Sequence, residues 1–462
     1  MTALLALAPI VLAIVLLVFK QPSWISATAG VIAATVLVAL FFPTPAATLT
    51  EAGAHYFPLI LEVALILLFG MALARLLEAA GSMREISAWV EAAAPSRSLG
   101  VALVVFGLVP FAESVTGFGI GVTIGVPVLR LLGCSLRQSA ILGLLGLIAV
   151  PWGALGPGTT VAAALAGLDV DALGVATAWV NAIPVIIVAA SVILIMRPSL
   201  VSALGIIAAA ALMWTGILIA SITVGMAPAG IIGSLIVIVA MGALFVARRR
   251  FTGFTRRLGI AVLPYATLTV GLLLARAFAS AVPSPLTRII ASPPFWLAAA
   301  CLIAAITVTS RRTVALSAAR SWLPIGMGTA AFMLMGWIMT TTGMSAAIGT
   351  LLPAGLILMT PWLTATGAVV TGSNTGANSM FTGTIGAVAA ASHVSALPVV
   401  AAGNAAGSLA ALAAPPRVAM AVQMADPSGP ASADDVSWAQ GRALLVAGLN
   451  ALAIGLWIQF TT

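Results

Sequence analysis

The feature that most constrains this chain is a succession of apolar runs, each about twenty residues long and nearly free of charge. They fall near 3–19, 23–42, 57–79, 138–155, 174–196, 199–222, 226–247, 259–279, 295–310, 322–342, 397–413 and 438–460. A helix needs about 20 such residues to cross the hydrocarbon core of a bilayer, where every backbone N–H and C=O must be satisfied within the segment. The runs are continuous rather than alternating, which excludes the strands of a lipid-embedded barrel. Composition agrees: 62% of the 462 residues are apolar and 6% are charged. A soluble domain carries roughly a quarter charged residues. The reading is therefore an all-α polytopic membrane protein of about 12 spans embedded in a lipid bilayer. An aqueous enzyme, a nucleic-acid binder and a disordered scaffold are excluded. The net charge of +8 is not a nucleic-acid signal, because the arginines gather in short clusters between the apolar runs, as orientation charges do.

The first run, Ala3 to Phe19, has no basic residue ahead of it, so it reads as a retained span rather than a cleaved signal. With the N-terminus outside, Lys20, Arg84, Arg97, Arg137 and Arg197 all fall on the cytoplasmic side. So do the cluster Arg248, Arg249, Arg250, Arg256 and Arg257 and the later Arg311, Arg312 and Arg320; Arg276 and Arg288 fall opposite. Segment 83–94 is short and carries Arg84, Glu85 and Glu91, which suits a helix lying along the interface. Cys134 and Cys301 read as packed thiols. His55 and His393 are too far apart in sequence to make a ligand spacing, and neither a metal nor a cofactor is expected.

Two stretches, 99–133 and 361–392, are apolar but interrupted in the middle by glycines and hydroxyls, and they read as re-entrant hairpins. They sit at corresponding places in two halves. Each half has three spans, a short segment, an interrupted stretch, a span ending in a Pro/Gly break (PWGALGPG at 151–158, AAPPR at 413–417) and a last span. The organisation expected is a first repeat over 1–198, connecting helices and a basic loop over 199–258, and a second repeat of opposite orientation over 259–462. Inverted repeats with paired broken segments point to a secondary transporter whose site lies near the middle of the membrane.

The chemistry concentrates at the two interruptions. The first reads Pro110-Phe111-Ala112-Glu113-Ser114-Val115-Thr116-Gly117-Phe118-Gly119-Ile120-Gly121. Glu113 lies about 20 Å into an otherwise apolar helix counted from Leu99. A carboxylate at that depth costs several kcal/mol unless it is paired or protonated, so it is a functional candidate. The glycines after it suit a tight tip where backbone amides and a half-helix N-terminus face an anion. The second interruption is Thr371-Gly372-Ser373-Asn374-Thr375-Gly376-Ala377-Asn378-Ser379, in which six of nine side chains can hydrogen-bond. Such groups must face protein, water or ligand. They suit an organic anion's carboxylate and hydroxyl, or a dehydrated Na⁺. Arg417, after Pro415-Pro416, can pair with a carboxylate bidentately or can be an orientation charge at a helix end. Glu62 and Arg130 read as structural or interfacial, and Asp169 and Asp171 as a helix start cap. A catalytic constellation is absent from these motifs, so the chain is not read as an enzyme. The polar groups gather at two tips rather than along several spans, which argues against a passive anion channel.

Three of these segments resemble one family. Pro110–Gly121, with Glu113 and Thr116-Gly117-Phe118-Gly119, is similar to the E-G-A-A-G-F-G segment of the L-lactate permease family, which includes glycolate permeases. Thr371–Phe381 is similar to its T-G-S-D-T-S-S-N-A-L-F segment, and Ala402–Ala419 to its A-N-T-T-G-G-V-T-G-K-M-I-S-P-Q-S stretch, matching at Asn404, Gly407 and Pro416. The resemblance implies a proton-coupled symporter of a small 2-hydroxymonocarboxylate in a bacterial cytoplasmic (inner) membrane. It implies Glu113 as a proton or substrate group, taken here as the proton-coupling residue, and Ser373, Thr375 and Asn378 as substrate-site groups. To these the residues themselves add Ser114, Thr116, Gly117, Gly119, Asn374, Asn404 and Arg417 as candidate substrate-binding groups. Three departures stand out: the family's aspartate in the second hairpin is Asn374 here, its lysine falls at Leu412, and its glutamine after proline is Arg417. The Ser373-Asn374-Thr375 triplet also looks like the hairpin tips of sodium-coupled dicarboxylate carriers, which makes a sodium-coupled organic-anion (dicarboxylate or sulfonate) symporter the alternative. An elevator-like movement of the hairpins and a homodimer built on the apolar scaffold face are compatible with these features.

Overall fold

The computed structural model describes residues 2–93, 96–117, 119–247, 255–351 and 356–462. Phe118 of the first hairpin motif, residue 94 of the interfacial segment, Arg248, Arg249 and Arg250 of the basic cluster, and residues 352–355 lie outside the described residues. The described residues are helices joined by short turns, with no strand among them, as expected of an all-α chain. Eleven of the described helices are long and apolar enough to cross a membrane by length and composition. They track the apolar runs closely, from Ser23–Phe41 and Ala46–Ala79 to Ala433–Thr461. The runs 3–19 and 295–310 form shorter apolar helices, Thr2–Val18 and Pro293–Ile306. The charged segment 83–94 forms the helix Ser82–Ala93.

Local chemistry sets the helix starts. Ser96 accepts from Leu99 N–H ahead of the first hairpin, and Ser135 makes a full capping box with Gln138. Asp169 accepts from Ala172 N–H at the start of Val170–Val180, so of the two aspartates read as caps this one does the capping. Arg130, in the last turn of Ile120–Leu131, donates to Cys134 O at 2.7 Å, a structural role at a helix C-terminus.

The helices sort into an inner and an outer layer. In Arg97–Thr116, 94% of the apolar window is buried, against 28% in Ser23–Phe41. Ala396–Ala413 and Leu136–Gly153 belong with the buried set. The outer helices carry exposed Ile186, Leu194, Leu200, Val201, Leu274 and Leu302. An apolar perimeter of that kind is favourable only against lipid. The segments with glycines and hydroxyls therefore form the centre, and the plain apolar spans surround them.

Both interrupted stretches are helix–turn–helix. The first runs through Arg97–Leu103, a wide π-turn at Val104–Leu108 and Val109–Thr116, then returns as Ile120–Leu131. The second pairs Thr360–Thr371 with Asn374–Ala391. The spans expected to stop at Pro/Gly breaks continue beyond them. Leu136–Leu145 tightens into the 3₁₀ segment Gly146–Leu155 and restarts as Pro157–Ala166. Ala396–Ala410 tightens at Ala411–Ala413 and restarts as Pro415–Ala425. Proline lacks only an N–H that a first helical position would leave unused, so at 157 and 415 it begins a half-helix instead of ending a span.

Candidate functional site

At the tip of the first hairpin, Gly117 and Gly119 take φ of +71° and +79°, values that leave a side chain strained. This turn aims the N-terminus of Ile120–Leu131 back at Glu113, which is 1% exposed. Gly119 N–H donates to both carboxylate oxygens, at 3.0 Å to Oε1 and 2.9 Å to Oε2, and Gly121 N–H approaches Oε2 at 3.4 Å. The anion held by these amides is thus the chain's own carboxylate. That arrangement satisfies a buried charge with charge-assisted bonds and a helix dipole.

Arg417 lies in the first turn of Pro415–Ala425, and its stem packs near the tip, with Cγ and Cδ about where a side chain on Gly119 would meet them. It is nine-tenths buried, and its Nη1 has no hydrogen-bond partner among the described residues. No oxygen of Glu113 comes within ion-pair distance of it, although the two charges share one cavity. A buried guanidinium with an unused donor is costly unless something acidic completes it.

The second hairpin tip completes the cavity. Ser373 caps Asn374–Ala391 by accepting from Gly376 N–H at 3.2 Å. Asn374 Nδ2 donates to Asn404 Oδ1 at 2.9 Å, while Asn374 Oδ1, buried, has no partner. Asn378 donates to the same Asn404 oxygen at 2.9 Å and to Gly158 O at 3.1 Å. Asn404 in turn donates to the hydroxyls of Thr159 at 3.0 Å and Thr177 at 3.1 Å. One fully buried amide therefore ties the second hairpin to both broken helices and to Val170–Val180. The approach is tight at Gly158, where a Cβ would stand 2.7 Å from Asn374 Nδ2.

Glu113, Gly117, Val150, Gly153, Pro157, Gly158, Ser373, Asn374, Thr375 and Arg417 line a single cavity of about 40 Å³. That is room for about three waters, which restricts an occupant to a few heavy atoms. Three half-helix N-termini open on it, those of Pro157–Ala166, Asn374–Ala391 and Pro415–Ala425. Their partial positive charges add to Arg417. The positive end of Ile120–Leu131 is taken up by Glu113. By contrast, a larger hollow of about 510 Å³ between Ala182–Met196 and Leu200–Thr223 has an entirely apolar lining and offers nothing to orient a polar ligand.

The residues expected at the site divide into two sets. Glu113, Gly117, Ser373, Asn374, Thr375 and Arg417 meet at the cavity; Asn378 and Asn404 stand behind it as its support. Gly119 holds Glu113 through its amide. Ser114 points away, toward the place a Gly230 side chain would fill, and the Thr116 hydroxyl bonds back to Ala112 O at 2.6 Å. Val150, Gly153, Pro157, Gly158, Thr159 and Thr177 carry no motif that marks them in the sequence. The Pro/Gly break at 151–158 is their available signal, and it marks a wall of the site rather than the end of a span. Among the described residues, no group of three or more His, Cys, Asp or Glu side chains could hold a metal.

Helices with a lipid-compatible perimeter around a small central cavity lined by Glu113, Arg417 and three half-helix N-termini make a multi-pass membrane protein of the transporter class. The model of the L-lactate permease family matches residues 2–256, more than half of the chain, and the chain belongs to that family. No curated protein matches it. Among solved structures it is similar to one described as the YdaH transporter of Alcanivorax borkumensis with an unusual topology, at 15% identity and a TM-score of 0.44, over 89% of this chain and 88% of that one.

Proposed function

We propose that the protein is a proton-coupled symporter of a small 2-hydroxymonocarboxylate such as L-lactate or glycolate, with Glu113 carrying the proton. The observation that carries this reading is a buried guanidinium, on the wall of one small cavity, with an unused donor. Arg417 Nη1 has no partner among the described residues and awaits an anion. A carboxylate on the guanidinium would satisfy it, and Ser373, Asn374 and Thr375 line the same space as candidate partners of the 2-hydroxyl. The half-helix N-termini add favourable charge without adding a competing anion.

Protonation of Glu113 removes one negative charge from the cavity as the substrate brings one in. The inverted arrangement of repeats over 1–198 and 259–462 would let the hairpins and broken helices move against the outer spans while the site stays intact. Uptake of labelled L-lactate and glycolate into proteoliposomes, with pH and Na⁺ gradients imposed separately, tests the assignment. The expected result is accumulation driven by external acidity alone. Arg417→Gln should raise KM by at least about 30-fold, since removing one partner of a buried charge pair costs at least about 2 kcal/mol. Uptake driven only by Na⁺ would establish the sodium-coupled alternative, and an unchanged KM in Arg417→Gln would remove the guanidinium from the site.

A further inference from the structure

We infer that a second hollow beside the site, lined by Glu62, Asp171 and Arg276, is an outer waiting site in which Arg276 takes the substrate's carboxylate before it reaches Arg417. The inference rests on the reading of the protein as an organic-anion symporter.

The hollow measures about 220 Å³, and Pro157 lines both it and the central cavity. The segment 150–158 contributes to both walls, Val150 and Gly153 to the inner space and Leu155 to the outer. Leu155 is buried and held at φ +68°, an uncommon conformation for a residue with a side chain.

Arg276 is poised to exchange partners. Its Nη2 lies 3.7 Å from Asp171 Oδ2, an ion pair too long for a hydrogen bond. Asp171 is fixed independently, because its Oδ1 accepts from Met226 N–H at 2.7 Å, the first residue of Met226–Ala247. Glu62 faces the same hollow, with no hydrogen bond or ion pair among the described residues. Asp171 thus holds the guanidinium loosely, with Glu62 lining the same hollow, and an arriving carboxylate competes with Asp171 for it. The Arg276 side chain is 27% exposed and that of Asp171 46%, so solvent reaches the pair, and a charge-assisted bond there holds a small acid only briefly.

The hollow lies on the far side from the basic residues. Arg256 and Arg276 belong to one helix, Arg256–Ala281, and are about 30 Å apart along it. Positive charge marks the cytoplasmic face, so Arg276 and its hollow face outward.

The decisive measurement is the external KM for labelled L-lactate in proteoliposomes under a fixed pH gradient, for wild type, Arg276→Gln, Arg276→Lys and Asp171→Asn. Arg276→Gln should raise KM about tenfold with kcat at saturation unchanged, and Arg276→Lys should recover most of the loss. Asp171→Asn keeps the acceptor for Met226 N–H but frees Arg276, so it should lower KM. A pair that merely holds helices together would move both variants the same way. An unchanged KM in Arg276→Gln, or a raised or unchanged one in Asp171→Asn, overturns the waiting site even if Arg276→Gln itself fails to fold. A wild type that takes up no 2-hydroxy acid under the gradient would refute the function and the inference together.

Discussion

Replacing Asn404 by alanine should detach the second hairpin from its supports. The side chain is fully buried and makes four hydrogen bonds, two accepted from Asn374 and Asn378 and two donated to Thr159 and Thr177. Each neutral bond contributes about 0.5–1.5 kcal/mol net. Not all of the partners are stranded, since Asn378 keeps Gly158 O and the Thr159 hydroxyl keeps its donation to Pro151 O at 2.7 Å. Asn374 Nδ2 loses its bond, and a buried orphan donor costs about 1–3 kcal/mol. The expected destabilisation is about 3 kcal/mol, together with a KM raised about tenfold because Asn374 is no longer held at the cavity wall. Thermal unfolding in detergent, followed by a thiol-reactive dye on buried Cys134, reads the first quantity. Uptake kinetics reads the second. Asn404→Asp keeps the shape and both acceptor contacts, but loses the donated bond to the Thr159 hydroxyl, whose proton is committed to Pro151 O, and buries a charge, so it should lose more than alanine does. A loss under about 1 kcal/mol in Asn404→Ala with KM unchanged would refute the idea that this amide holds the site together.

Three further outcomes follow from the same geometry. Glu113→Gln should abolish accumulation driven by a pH gradient while leaving exchange of labelled for unlabelled substrate, measured by counterflow; wild-type accumulation would end the proton role. Gly158→Ala places a methyl 2.7 Å from Asn374 Nδ2 and 3.2 Å from Thr375 N, so substrate uptake should be lost with the protein still folded, as checked by size-exclusion profile and transport together. Asn374→Asp adds a negative charge beside Glu113 and sets an acceptor against Asn404 Oδ1, so KM for the monoanion should rise at least tenfold in the uptake assay.

What could be read in the sequence was what lipid enforces locally. A span in hydrocarbon must be apolar and self-bonded for about twenty residues, so its position is visible without any neighbour. Glu113 and the run from Thr371 to Ser379 stood out for the same reason, as polar groups a lipid-facing helix would not tolerate. What could not be read depended on partners far away along the chain. Nothing near Asn404 in sequence announces Thr159 and Thr177, more than two hundred residues earlier. Asp171 has the residue type and position of a cap, yet it accepts from Met226 N–H and lies beside Arg276 as a long ion pair. The break at 151–158 was visible, but whether a proline ends a span or opens a half-helix depends on what receives the freed N-terminus. Here that is a shared cavity.

The charges in the cavity also bear on which substrate and which stoichiometry fit it. Empty, with Glu113 ionised, the site holds one negative and one positive side chain and is neutral overall. A monocarboxylate makes it −1, and one proton on Glu113 brings it back to zero. A carrier must cross the membrane both loaded and empty, and moving one charge through a 100 mV potential involves about 2.3 kcal/mol. The combination of one monoanion and one proton is the one that lets both crossings occur without net charge. A dicarboxylate would need a second cation, and the described residues offer no second carboxylate in the cavity, since the triplet at the second tip has Asn374 at its centre. Uptake of L-lactate should therefore respond to an imposed pH gradient and be insensitive to a potassium diffusion potential set with valinomycin at constant pH. If the potential alone drove accumulation, a further charge would have to travel with the substrate, and the pairing of one acid with one proton at Glu113 would be wrong.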